Sequence, residues 1–225
     1  MSVLIFAPHP DDDLIGCGGS IAKHLANGRA VHVVYMTSGN AGSRVIDKAS
    51  LAQIREEEAT RAADLLGVKN LTFLRHDDGY LKDTPELAER MINLVREHRP
   101  EYVYLPHEDD GHPDHQETHR LVVKALAQAA GPWFQGTKGD PWAVPTVLAY
   151  EVWTPLRHVS YLEDITEVAT LLRQALECHK SQLGEIDYWA MAYGLAQYRG
   201  VTIAPGRLAE AFTVISSPTS SFTAK

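Results

Sequence analysis

Four apolar, β-branched runs, VLIFAP (3–8), AVHVVYMTSG (30–39), LTFLR (71–75) and YVYLP (102–106), alternate with segments of helical periodicity. Such alternation leaves few architectures open. Strands joined by helical crossovers run parallel, the crossovers are right-handed, and the sheet carries helices on both faces. The expected fold is α/β and Rossmann-like, with a mainly parallel sheet and helices over 16–27, 50–67, 85–98 and 114–130. A fifth run, PTVLAYEVW (145–153), follows the Gly- and Pro-rich connection 131–145, beyond which the pattern becomes less regular. One domain over 1–225 is expected, with 1–130 as the Rossmann-like part and 131–225 as a C-terminal part placed to cap the site. The final SSPTSSFTAK reads as a frayed tail.

In sheets of this kind ligands bind beyond the carboxyl ends of the strands. Two loops there are rich in metal-ligating residues: APHPDDDLIGCGG (7–19) and HEDDGHPDHQETH (107–119). In the first, His9 and Asp12 stand three apart; in the second, so do His112 and His115. Imidazole with carboxylate suits zinc or another borderline divalent ion. Each motif is too short to carry weight alone, but both follow strands and meet at one sheet edge. A phosphate cradle at GCGGS is the competing reading, since backbone amides at a helix start attract anions. The spacing is not G-x-G-x-x-G, no Lys-Ser/Thr pair follows, and three carboxylates beside the turn repel phosphate. Gly16, Gly18 and Gly19 are better explained by a tight turn and close helix packing. HQETH (115–119) lacks the Glu of a zincin, because Gln116 occupies that position, and His119 reads as a helix-surface group.

The net charge of −8 and the lack of any cluster of five or more basic residues give nucleic acid or anionic membrane no electrostatic foothold. No run of about 18 apolar residues and no secretory-type N-terminus is present, so a cytoplasmic location is expected. Cys17 and Cys178 are too few for a disulfide framework and read as small buried side chains. On the 50–67 helix, Arg55 and Glu58 share the sector of Leu51, Ile54, Ala62 and Leu65. An i, i+3 ion pair on an apolar face is either a buried structural pair or a functional one. His179, among Leu172, Ala175, Leu176 and Leu183, reads as a core histidine.

HPDD after a strand, G-x-G-G behind it and HPDH about a hundred residues later resemble the LmbE-like or PIG-L family of zinc-dependent N-acetylglucosaminyl deacetylases. TSGNAGS, IREEE, YEVW and CHKSQ resemble further segments of that family. The resemblance implies Zn2+ held by His9, Asp12 and His115, with Asp11 as general base and His112, if protonated, against the oxyanion. Asp114 would orient an imidazole, or else cap the helix start. Arg55 would reach a hydroxyl or anionic group of the substrate while Glu58 holds it. The implied reaction removes acetyl from a small N-acetylated sugar or glycoside, in an assembly for which homo-oligomers, trimers or hexamers, are open. Trp133, Phe134, Trp142, Trp153, Tyr188, Trp189 and Tyr193 read mostly as packing, although any of them could stack on a sugar face. Two rivals stand beside this reading. One is a metal-dependent phosphoester hydrolase with a second metal at His107 to Asp110; the other is a non-catalytic zinc or sugar-binding protein whose metal has a fourth protein ligand. Asp13 stands where the family often has Glu, and Asn40 where it often has an acid, which puts the sugar contacts of that loop in doubt.

Overall fold

The computed structural model describes residues 2–217 apart from Gln135 and Glu185. Most of SSPTSSFTAK therefore lies outside the described residues. The chain runs β1 (Ser2–Ala7), α1 (Asp12–Ala26), β2 (Ala30–Thr37), α2 (Lys48–Leu66), β3 (Asn70–His76), α3 (Pro85–His98), β4 (Tyr102–Pro106) and α4 (Pro113–Ala129). It continues with β5 (Thr146–Tyr150), β6 (Tyr161–Asp164), α5 (Ala169–Leu176), α6 (Tyr188–Gly200) and β7 (Ala209–Ser216). The strands form one sheet in the order β3-β2-β1-β4-β5-β7-β6. The first five are parallel, whereas β7 pairs antiparallel with both β5 and β6.

Successive residues of β1 face opposite sides of the sheet. Val3, Ile5 and Ala7 enter one core with Val33, Leu14, Ile21 and Leu172; Leu4 and Phe6 enter the other with Met36, Met91, Ile92 and Leu121. Burial on both sides explains the continuous apolar runs. β1 lies between β2 and β4, Ile5 pairing with Val33 on one side and Tyr104 on the other. The chain leaves β1 in one direction and later returns in the other, which opens a crevice at the carboxyl ends of β1 and β4. The HPDD and HPDH loops emerge there.

The less regular C-terminal region extends this same sheet: Leu148 of β5 pairs with Val214, and Tyr161 of β6 with Phe212. Two features hid it from periodicity. β6 has four residues, and α6, YWAMAYGLAQYRG, is apolar nearly all round. Among the described residues no helix is long and apolar enough to cross a membrane. Cys17 is buried as expected, but Cys178 is only half-buried.

α1 is broken at Cys17, whose φ of −152° is not helical, so a second helical N-terminus begins at Gly18. Its amides are taken by a carboxylate. Glu210 of β7 accepts from Gly19 N at 2.6 Å, Ser20 N at 2.9 Å and Ser20 Oγ at 2.6 Å. That occupancy is the physical reason the glycine cluster is no phosphate cradle. The bend also brings Gly16 against Tyr150, where a Cβ would lie 2.2 Å from the ring. Burial raises Glu210 to about 7. At pH 8 Glu210→Gln is expected to lose about 1–3 kcal/mol, because an NH2 group then faces backbone donors. A lowered urea midpoint at unchanged m would show it.

Candidate metal centre

Three donor atoms from two loops converge at the crevice. His9 Nδ1 lies 3.0 Å from Asp12 Oδ2, Asp12 Oδ2 lies 3.1 Å from His115 Nε2, and His115 Nε2 lies 3.2 Å from His9 Nδ1. Donors around a tetrahedral ion at zinc distances sit roughly 3.3 Å apart. The triangle therefore fits one small divalent metal, with a position left open. The far nitrogens of both rings face carboxylates: His9 Nε2 lies 3.1 Å from Asp78 Oδ1 and 3.3 Å from Asp114 Oδ2, and His115 Nδ1 lies 3.2 Å from Asp110 Oδ1. Asp78 and Asp114 draw the His9 ring proton outward and turn its lone pair toward the triangle, whereas Asp110 lies close to His115 Nδ1 without an aligned hydrogen bond to it. His112 is the neighbouring ring, its ligand atom within 4.8 Å of those of His9 and His115. Its Nδ1 accepts the Asp114 N–H at 3.2 Å, so in the neutral ring the proton sits on Nε2.

Asp78 and Asp110 were not singled out as orienting acids in the sequence reading. Asp78 belongs to HDDG directly after LTFLR, and its place at the same sheet edge was the available signal. Asp110 belongs to the HEDD cluster, which does not build a second metal site. His107 Nε2 donates to Thr154 O and its Nδ1 accepts from Asp109 N, while Asp110 accepts from His112 N, Trp153 N and Thr154 N. Asp114 accepts from Gly79 N at 2.6 Å and Leu81 N at 3.3 Å; the cap of α4 is His112 instead.

Asp11 precedes α1 with φ 143° and ψ −26°, a conformation costing a non-glycine residue on the order of 1–3 kcal/mol. Its Oδ2 accepts from Arg55 at 3.0 Å. Burial raises the Asp11 carboxyl to about 7 against the pull of Arg55. Arg55 and Glu58, expected as an i, i+3 ion pair, do not pair with each other. Arg55 also donates to Gly39 O at 2.9 Å and Pro10 O at 2.8 Å, whereas Glu58 accepts from Ser181 N at 2.8 Å and Ser181 Oγ at 2.6 Å. The two side chains point at different loops because each is consumed by its own partners. Leu65, placed on the same inward sector, is 43% exposed.

Asn40 faces inward, donating to Asp77 Oδ1 and accepting from Asp78 N, so it holds the turn that carries Asp78. Asp13 is buried, with Oδ2 accepting from the Tyr35 hydroxyl, and burial raises it to about 7. His179 is buried and pushed down to about 3 by desolvation, then by Arg55 and Arg61, but it is not the satisfied core histidine expected, since neither ring nitrogen has a hydrogen-bond partner. His119 Nδ1 donates to Pro106 O. Of the aromatic residues, Trp153 and Tyr188 line the metal cleft beside Gln182 and Gly42. Trp189 and Tyr193 pack on the core, Trp142 donates to Pro100 O, and Trp133 and Phe134 are exposed.

Residues 4–126, which carry β1 to α4 and both histidine loops, match the model of GlcNAc-PI de-N-acetylase, PIG-L. The chain belongs to the PIG-L family. The diacetylchitobiose deacetylase of Thermococcus kodakarensis is 34% identical over 200 residues, 84% of this chain and 72% of that protein. A 1D-myo-inositol 2-acetamido-2-deoxy-alpha-D-glucopyranoside deacetylase of Kineococcus radiotolerans is 33% identical over 70% of this chain, which spans 53% of that relative. Among solved structures, N,N'-diacetylchitobiose deacetylase from Pyrococcus horikoshii superposes with TM-score 0.87 at 29% identity, over 97% of this chain and 87% of that one. A 4-carboxy-2-hydroxymuconate hydratase from Pseudomonas putida KT2440 also reaches TM-score 0.87, over 99% of both chains, but at 24% identity it shows the shared fold alone.

This PIG-L centre holds protons when metal-free. Burial lowers both histidines, but Asp114, Asp12 and Asp78 hold His9 well above its ordinary value, and Asp12 and Asp110 raise His115 to about 9. A metal takes unprotonated imidazoles, so loading near pH 7 is expected to release about one to two protons. Calorimetry in two buffers of different ionisation enthalpy measures that number. His115, raised from 6.5 to about 9, stabilises the metal-free fold below its unfolded value, and that contribution is lost as pH climbs through 9. Asp11 and Asp13, raised by burial, act in the same sense between about 4 and 7. Below pH 7 the opposite sense comes from His24 and His32, lowered by desolvation to about 4, and His179, lowered to about 3, so melting temperature without metal is expected to fall mainly between about pH 7 and pH 9, and metal should flatten that slope.

Proposed function

We propose that the protein is a zinc-dependent amidohydrolase that removes the acetyl group from an N-acetylglucosamine-type substrate, releasing acetate and a free amine. The observation that carries the reading is the three-donor triangle with Asp11 and His112 on the same cleft, in a chain whose relatives are named deacetylases. His9, Asp12 and His115 would hold the zinc, which supplies Lewis acidity and acidifies water at neutral pH. Asp11 takes the proton of the attacking water and then delivers it to the departing nitrogen. His112 donates a hydrogen bond from its Nε2–H to the carbonyl oxygen as that oxygen becomes anionic. In the metal-free centre, burial and then the charges of His9 and His115 lower its pKa. A small N-acetylated sugar or glycoside as substrate and a cytoplasmic location belong to the same proposal.

The test is acetate release from N-acetylglucosamine and diacetylchitobiose by purified protein, before chelation, after it, and after zinc is restored. Release should stop and return. Protein that binds no metal, or hydrolysis indifferent to chelation, defeats the reading.

A further inference from the structure

The His107 to Asp110 turn spends its buried polar groups on one neighbouring loop. His107 Nε2 donates to Thr154 O at 2.7 Å, while Asp110 Oδ2 accepts from Trp153 N at 2.9 Å and from Thr154 N at 3.2 Å. Both side chains are buried, so these bonds offset the cost of taking them out of water. The other oxygen of Asp110, Oδ1, accepts from His112 N at 3.1 Å. One carboxylate thus joins the loop of the metal donors to the loop of Trp153.

What this clamp presents at the cleft is an indole. Trp153 lines the metal cleft yet is 39% exposed, whereas His9, Asp11, Asp12, Arg55 and Asp78 on the same cleft are all buried. The Trp153 ring meets that of Tyr188 with centroids 6.0 Å apart and planes at 64°, an edge contact that sets the tilt of the indole. Gly42, also on the cleft, brings no side chain to crowd it. The cleft therefore changes character with depth: imidazoles, carboxylates and a guanidinium lie at the floor, and an exposed aromatic face stands at the mouth. Cyclic polyols match both, with hydroxyls that hydrogen-bond and C–H faces that lie flat on an aromatic ring.

We propose that Trp153 is the platform for the ring attached to the reacting N-acetylglucosamine, and that His107 and Asp110 are positioning residues that hold it at the mouth. With the acetamide at the donor triangle, the reacting sugar sits among the buried polar groups and its substituent leaves past Trp153. The substrate class is then a glycoside whose second unit is a six-membered polyhydroxylated ring, a pyranose or a cyclitol. Either offers the same C–H face to the indole.

The choice of first ring rests on the deacetylase reading, but the test reads binding and needs no turnover. Calorimetric titration of zinc-loaded Asp11→Asn protein compares N-acetylglucosamine with diacetylchitobiose and with an N-acetylglucosaminyl inositol. At least one two-ring ligand is expected to bind about tenfold or more tighter than the single sugar, and Trp153→Ala in the same background should bring that ratio to within about twofold of one. Trp153→Phe keeps a ring face and should hold the ratio within about threefold of its value with Trp153, which separates stacking from a loss of fold. His107→Leu should lower the ratio as well; a ratio it leaves untouched overturns the clamp. Loss confined to diacetylchitobiose assigns a pyranose, and loss confined to the inositol glycoside assigns a cyclitol. Ratios near one for both ligands with Trp153 present, or ratios that Trp153→Ala does not change, overturn the platform. Should wild type hydrolyse no acetamide, the deacetylase reading falls and the titration still decides this one.

Discussion

Asp11→Asn is expected to lower kcat by about 10²–10⁴-fold while the protein still binds its metal. The amide has the shape of the carboxylate, and its oxygen can still accept from Arg55, which lies 3.0 Å from Asp11 Oδ2. Asn also tolerates positive φ better than most residues, so the turn into α1 should survive. What disappears is the proton acceptor. Metal content by elemental analysis, run beside single-turnover acetate release, separates the two effects. Full turnover in the variant would place the base elsewhere.

His115→Ala is expected to act on the metal itself. His115 is fully buried and supplies one corner of the triangle, with Asp12 on one side and Asp110 on the other. Losing an outer partner of a ligating histidine commonly costs 10- to 100-fold in affinity, so losing the ligand should weaken zinc binding by more than about 100-fold. Asp110→Asn is the graded comparison and should fall within that 10- to 100-fold range. Competition against a chromophoric chelator gives both constants. Unchanged affinity in His115→Ala would leave the triangle without a role in metal binding.

The parts of this molecule that could be read from its sequence are those written in local spacing. β1, β2 and β4 appear as continuous apolar runs because both faces of each are covered, whereas β3, the edge strand, is at most half-buried and shows only as the short run LTFLR. The i, i+3 pairs in HPDD and HPDH are visible because a strand end turning into a helix brings such positions together. Contacts across long separations were not visible. Asp78 reaches His9 across 69 residues from a loop with no spacing signature, and Asp114 reaches it across 105. Helical periodicity placed Arg55 on the inward face of α2, yet it does not say which loop lies opposite. The guanidinium therefore found Asp11 rather than Glu58. α6 gave no period because its residues are apolar nearly all round, and β6 was too short to register.

Glu210 meets the second N-terminus of α1 from 191 residues downstream of Gly19. During synthesis the nascent chain thus carries every metal donor long before it carries the acid that anchors the helix behind Asp11 and Asp12. Long-range pairings of this kind form late and slowly. An unfinished chain, although equipped with all its ligands and the acids that orient them, lacks the carboxylate that caps the second half of α1 until the last strand is made.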